Sequence, residues 1–267
     1  MNRYEHTFEQ LKARRECAFI PFAVAGDPDL AVSERIFMSF VKAGADILEI
    51  GYPFSDPVAD GPVNQRAALR AIAAGLTHQS FFSLISSVRS RTDVPIGILC
   101  YANTLMSQGY DTFCARAAAA GVDSILVADM PPEESAPLRA SMKKHNLATV
   151  FIVSQLTPLQ RLEYICRQVN GFVYVVSRLG PTGVDAQSSC GTIAHTLKKI
   201  RSVTNAPLCV GFGLSTPAHV AQVRRAGAQG AIVGSHLVSL VEALAPKPET
   251  LMRSLARQVR SLKLATR

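Results

Sequence analysis

Eight short runs rich in Val, Ile, Leu and Ala, at 18–24, 47–50, 96–101, 124–128, 148–153, 172–176, 208–210 and 231–233, alternate with longer stretches of helical period. Runs of that length and composition read as strands, and a helix between successive strands implies parallel pairing, because a parallel return needs a crossover. Right-handed crossovers repeated eight times carry the sheet round until it meets itself. The pattern therefore predicts an α/β fold and favours a (β/α)8 TIM barrel over an open doubly wound sheet. The 267 residues match the ~250 of such a barrel, and no linker-like stretch breaks the alternation, so one domain over 1–267 is expected. A small polar residue followed closely by proline marks the helix starts at Asp27-Pro28, Asp129-Met130-Pro131, Thr157-Pro158 and Thr216-Pro217.

Composition removes several alternatives. With 48% apolar and 18% charged residues the chain can bury a full core, which excludes disordered and low-complexity classes. The opening residues carry charges and lack an apolar signal core, and no apolar run approaches the ~20 residues of a membrane span, so a cytoplasmic protein is expected. The six cysteines are never closer than fourteen residues and the histidines form no metal-binding pair, which predicts reduced thiols and no metal. The net charge of +8 comes from scattered basic residues; only Arg253, Arg257, Arg260 and Lys263 share a face, read as a solvated helix surface. Nucleic acid is not expected as a partner, whereas a positive field suits a small anionic substrate.

Strand starts recur about every 23 to 29 residues, except for 49 after the second and 36 after the sixth. Connections after strands lie at the C-terminal face, where barrel chemistry takes place, so the overlong segments 51–79 and 177–191 are candidate active-site loops. After the seventh run comes Gly211-Phe212-Gly213, and after the eighth Gly234-Ser235 opens a short helical stretch over 237–244. A single such turn is only a tight bend. Paired after the last two strands, the glycines and the free N–H groups of a helix start form a phosphate site.

In Ile47-Leu48-Glu49-Ile50 a period of two puts Ile47 and Glu49 on one face and Leu48 and Ile50 on the other. The apolar pair must meet helices, so Glu49 faces the barrel interior, where lost hydration raises a carboxyl pKa toward neutrality. A buried ion pair is the alternative. Asp60 is close to the mouth and free to swing in as a second carboxylate, while Asp56, in Asp56-Pro57, reads equally as a turn residue.

The segment Glu49-Ile50-Gly51-Tyr52-Pro53-Phe54-Ser55-Asp56-Pro57-Val58-Ala59-Asp60-Gly61-Pro62 resembles the signature of the tryptophan synthase α subunit family. The resemblance extends in order through Phe19-Ile20-Pro21-Phe22, Ala25-Gly26-Asp27-Pro28, Tyr101-Ala102-Asn103, Val127-Ala128-Asp129, Tyr174, Ser177-Arg178, Thr182-Gly183, Gly211-Phe212-Gly213 and Gly234-Ser235. It implies reversible retro-aldol cleavage of indole-3-glycerol phosphate to indole and glyceraldehyde 3-phosphate, a carbon–carbon lyase reaction. Indole would be channelled to a β subunit that carries pyridoxal phosphate in an α2β2 heterotetramer, with no cofactor in this subunit.

By the same resemblance Glu49 and Asp60 are catalytic, Glu49 in proton transfer and Asp60 opposite the indole N–H. Phe22, Leu99, Tyr101, Leu126, Tyr174, Phe212 and Ile232 would wall the ring, with Thr182, Gly183, Gly211, Gly213, Gly234 and Ser235 around the rest of the substrate. Val24, Val63, Asn64 and Pro181 depart from the usual pattern, and Pro181 removes an N–H and restrains the residue before it. These departures motivate a second expectation, a catalytically weakened subunit acting mainly as an allosteric activator of its β partner. A different phosphate-binding barrel enzyme, such as a sugar-phosphate isomerase, fits the 49–62 segment poorly.

Overall fold

The computed structural model describes residues 2–176, 186–211 and 213–267, the side chains of 186–192 apart. Its strands are β1 (Ala18–Val24), β2 (Leu48–Gly51), β3 (Ile96–Cys100), β4 (Ser124–Val127), β5 (Ala148–Thr149), β6 (Phe151–Ser154), β7 (Val173–Val176), β8 (Leu208–Gly211) and β9 (Gly230–Val233). They pair in the order β5-β4-β3-β2-β1-β9-β8-β7-β6, and every pairing is parallel. The run expected at 148–153 is thus two short strands on either side of Val150, and chain continuity at that residue joins the two ends of the hydrogen-bonded order. The result is the (β/α)8 barrel, with its fifth strand position divided.

Alternation along the strands separates two apolar layers. From β1, Phe19 and Ala23 point outward into the shell under the helices, whereas Ala18, Ile20, Phe22 and Val24 belong to interior clusters. The same rule sends Leu48 and Ile50 outward and leaves Ile47 inside, as the period of two requires.

The barrel is stoppered at its N-terminal end. Helix α1 (Arg3–Arg14) starts with a capping box in which Asn2 and Glu5 exchange side-chain-to-backbone bonds. It places Tyr4 and Leu11 in the interior cluster. The Tyr4 hydroxyl lies 2.8 Å from Ser124 Oγ, and its ring packs on Phe172 at 5.7 Å. With α1 plugging that end of the barrel, the strand interior opens toward the C-terminal mouth, and the cavity beside α1 is lined by Phe8, Arg15 and Cys17 rather than by inward strand residues.

Three of the proline-marked starts differ from expectation; at one, the helix Leu159–Cys166 has Pro158 at its cap position, and Thr157 Oγ1 accepts from Ser154 N–H at 3.0 Å instead of capping it. Helix α2 (Leu30–Lys42) is capped by Asp29, whose Oδ1 accepts from Val32 N–H; Asp27, 2% exposed, instead receives Arg70. Asp129 accepts from Ala102 N–H at 2.8 Å, and the next helix begins only at Ala136. Asp27 is drawn from local capping by a charged and therefore stronger donor, whereas Asp129 exchanges one backbone N–H for another, that of Ala102. Thr216 does cap the helix Pro217–Arg225, bonding His219 N–H.

Helix α3 (Pro62–Ala73) takes Pro62 as its first residue, directly after the Gly61 cap. The basic face of the last helix, Pro248–Leu264, is solvated at Arg253, Arg257 and Arg260 but not at Lys263, which is 8% exposed and bonded to Asp46 and Glu16. Cys17, Cys100, Cys114, Cys166 and Cys209 are buried and unpaired. No described helix is long and apolar enough to cross a membrane.

Candidate active site

A cavity of about 680 Å3 opens at the C-terminal ends of the strands, and Glu49 and Asp60 both line it. Glu49 sits on β2 opposite Phe22 of β1 and Gly97 of β3, only 5% exposed. Burial, reinforced by the nearby charge of Asp60, pushes its carboxyl up to about 8. Glu49 is therefore protonated at neutral pH, able to give a proton and then take one back.

Asp60 is held rather than free to swing. Its Oδ2 accepts the Tyr101 hydroxyl at 2.8 Å, and its Oδ1 accepts Asn64 Nδ2 at 3.1 Å. Gln65 Nε2 donates to its backbone oxygen at 2.9 Å, and its own N–H bonds Pro57 carbonyl at 2.9 Å. Tyr101 also accepts from Ala59 N–H and stacks on Phe54 at 5.3 Å, so one side chain from the end of β3 organises the loop after β2. Asp56 is exposed, accepts from Ser55 Oγ at 2.6 Å and does not line the cavity, consistent with a turn residue.

Of the expected wall residues, Phe22, Leu99, Tyr101, Tyr174 and Ile232 do line the cavity. Leu126 does not: 3% exposed, it packs in the interior cluster below. The tilt of barrel strands sets equivalent residues of neighbouring strands at different heights, and Ala128, two residues on, reaches the cavity instead. Gly211 is likewise beneath the cavity, where a Cβ would collide with the Tyr174 ring, so this glycine makes room for the tyrosine. Thr182, Gly183 and Phe212, together with Pro181, lie outside the described residues.

Gly213, Gly234 and Ser235 line the same cavity. Gly213 has φ +77°, the left-handed conformation that glycine adopts without strain. Ser235 opens the ten-residue helix Ser235–Leu244, whose Gly234 cap offers no side-chain acceptor to its first N–H groups. A helix start of this kind attracts an anion through unpaired N–H groups and the helix dipole.

Sequence reasoning missed Ala128, Ile152 and Val176 as lining residues. Each is two positions beyond an inward residue, Leu126, Val150 or Tyr174, so alternation carried to the strand ends would have found them. It also missed the hold of Tyr101 and Asn64 on Asp60, for which strand periodicity gives no signal.

A parallel barrel with a buried, protonatable carboxylate at the C-terminal ends of its strands and a glycine-turn, helix-start pair lining the same cavity defines a (β/α)8-barrel enzyme. The family model described as tryptophan synthase alpha chain matches residues 8–267, and the chain belongs to that family, which carries a lyase-type role in tryptophan synthesis. It is 44% identical over 268 residues to the tryptophan synthase alpha chain of Klebsiella pneumoniae, covering 100% of this chain and 99% of the relative. With the Salmonella newport alpha chain it shares 42% identity at 100% of both. Among solved structures it resembles tryptophan synthase subunit alpha from Legionella pneumophila, with a TM-score of 0.91 and 32% identity over 100% of this chain and 98% of that one. It also resembles a chain of Mycobacterium tuberculosis tryptophan synthase, with a TM-score of 0.89 and 27% identity over 100% and 98%.

Proposed function

We propose that this chain catalyses the reversible cleavage of indole-3-glycerol phosphate to indole and glyceraldehyde 3-phosphate. The observation that carries this reading is one cavity lined both by a protonated Glu49 with an anchored Asp60 and by an anion-attracting helix start. Its apolar walls suit a flat aromatic ring.

Cleavage proceeds with Glu49 giving its proton to C3 of the indole ring, which leaves a positive ring N–H that the Asp60 carboxylate stabilises. The Glu49 carboxylate then takes the proton of the side-chain hydroxyl next to the breaking bond. That oxygen becomes the aldehyde carbonyl, and the bond electrons return to the ring as indole. The proton count closes on Glu49 itself, and no electron acceptor enters. Gly213, Gly234 and Ser235 hold the phosphate; Phe22, Leu99, Tyr101, Tyr174 and Ile232 flank the ring, with Leu126 and Gly211 beneath it, and the family resemblance alone adds Gly183 to the phosphate residues, Phe212 to the ring residues and Thr182 to the substrate-binding set.

A β subunit carrying pyridoxal phosphate is the proposed partner, in an α2β2 heterotetramer that receives indole directly. The preserved carboxylate pair favours turnover over a purely activating role. Indole formation from indole-3-glycerol phosphate by the purified protein, alone and with β subunit, tests the reading: turnover that rises with the partner is expected, and no indole under either condition would overturn it.

A further inference from the structure

We propose that Asn64 is a positioning residue for Asp60, fixing the plane of its carboxylate from the first turn of α3; the kinetic side of this proposal rests on the cleavage reaction above. Asn64 is the third residue of α3, and Asp60 is the residue just before its Gly61 cap, so the contact joins the loop to the start of the helix that follows it. Its Nδ2 donates to Asp60 Oδ1 at 3.1 Å, while Tyr101 donates to Oδ2 at 2.8 Å. Each carboxylate oxygen therefore has one neutral donor, so the carboxylate cannot turn about its own axis without breaking a bond. Lone pairs remain on both oxygens for a ligand N–H.

The other end of the same amide shows what the residue is there for. Asn64 Oδ1 is the one buried side-chain nitrogen or oxygen among the described residues that lacks a hydrogen-bond partner. An orphaned acceptor weakens the fold, and flipping the amide gives no relief, since it would set Oδ1 against an oxygen of Asp60. Val63 and Ala67 beside it are packed in an apolar cluster, where a leucine would sit without that cost. The amide is thus a poor choice for packing and a good one for presenting a donor to Asp60.

The test compares wild type, Asn64→Leu, Asn64→Gln, Asp60→Ala and the Asp60→Ala/Asn64→Leu double variant, as full chains with β subunit, assayed on indole-3-glycerol phosphate. Asn64→Leu is expected to lower kcat/KM about tenfold, the effect of losing one hydrogen bond to a charged group, mainly through kcat. Asn64→Gln, which keeps an amide donor, should recover part of the loss. In the Asp60→Ala background Asn64→Leu should change kcat/KM less than twofold, because the group it acts through is gone. The melting temperature of Asn64→Leu should equal or exceed that of wild type, and its crystal structure should show the Asp60 carboxylate turned from the wild-type orientation. An equal loss in both backgrounds, or an unmoved Asp60 in the crystal, overturns the proposal. A wild type that yields no indole overturns the cleavage reading alone, and the Asn64 contact then stands or falls on the crystal structure.

Discussion

Tyr101, at the end of the third strand, donates its hydroxyl to Asp60 across 2.8 Å and accepts the N–H of Ala59 with the same oxygen. One phenol thus ties an acid on the long loop after β2 to the rigid wall of the barrel.

Tyr101→Phe removes both bonds while keeping the ring and its stack on Phe54. Loss of a hydrogen bond to a charged acceptor should lower kcat/KM about 10- to 100-fold, with a fall in stability of about 1 kcal/mol. Indole assays and denaturant melts measure the two; full activity would show that Asp60 needs no anchor from β3.

Glu49→Gln keeps size and polarity but cannot exchange a proton, so turnover should drop about 10²- to 10⁴-fold. In wild type, activity should decline as pH rises through about 8, where Glu49 loses its proton. The pH profile of kcat/KM checks this, since that limb should vanish from the residual activity of the variant.

The same group makes a stability prediction of definite sign. Its folded value of about 8 lies above the ordinary 4.5, so its contribution is fully present below about 4.5 and is lost as pH rises through 8. Glu49→Gln should therefore gain on wild type across that window, levelling off above it at roughly 3–5 kcal/mol, since each pH unit between the two values is worth about 1.4 kcal/mol. Parallel urea melts at pH 4 and pH 8.5 that show no change in the difference would contradict the burial of a carboxyl at this site.

Anions should stabilise the protein through the start of the helix Ser235–Leu244. Glycerol phosphate at a hundred times its Kd should add about 2.7 kcal/mol, several degrees in Tm. Ser235→Asp, which sets a negative charge at that helix start, should abolish the shift, and a wild type indifferent to anions would remove the phosphate assignment.

Arg70 of α3 forks onto Asp27 at 2.8 and 2.9 Å and also bonds Glu242 at 2.8 Å, joining the turn after β1 to two helices. Arg70→Ala leaves the Asp27 carboxylate, 2% exposed, without its counter-charge and should cost about 3 kcal/mol in chemical denaturation. A change below 1 kcal/mol would mean that water reaches Asp27 once the arginine is gone.

What the sequence by itself determined was the barrel and the inward direction of Glu49, because both follow from period. Apolar runs alternating with helical stretches admit few topologies, and Glu49 shares a face with Ile47 whatever the rest of the chain does. Resemblance in the 49–62 segment added the reaction and the pairing with Asp60. Tertiary structure alone decided heights and partners. Strand tilt set Leu126 beneath the cavity and brought Ala128 to it, and the ring of Tyr174 turned Gly211 from a lining residue into a space for an aromatic side chain. Arg70, forty-three positions away, drew Asp27 from the helix-cap role that its neighbourhood suggested. Asp60 is anchored because Tyr101 arrives from another strand, and a hydrogen bond between residues 41 positions apart leaves no trace in periodicity or spacing. Local pattern fixes which way a side chain points; only the packed chain fixes what it meets there.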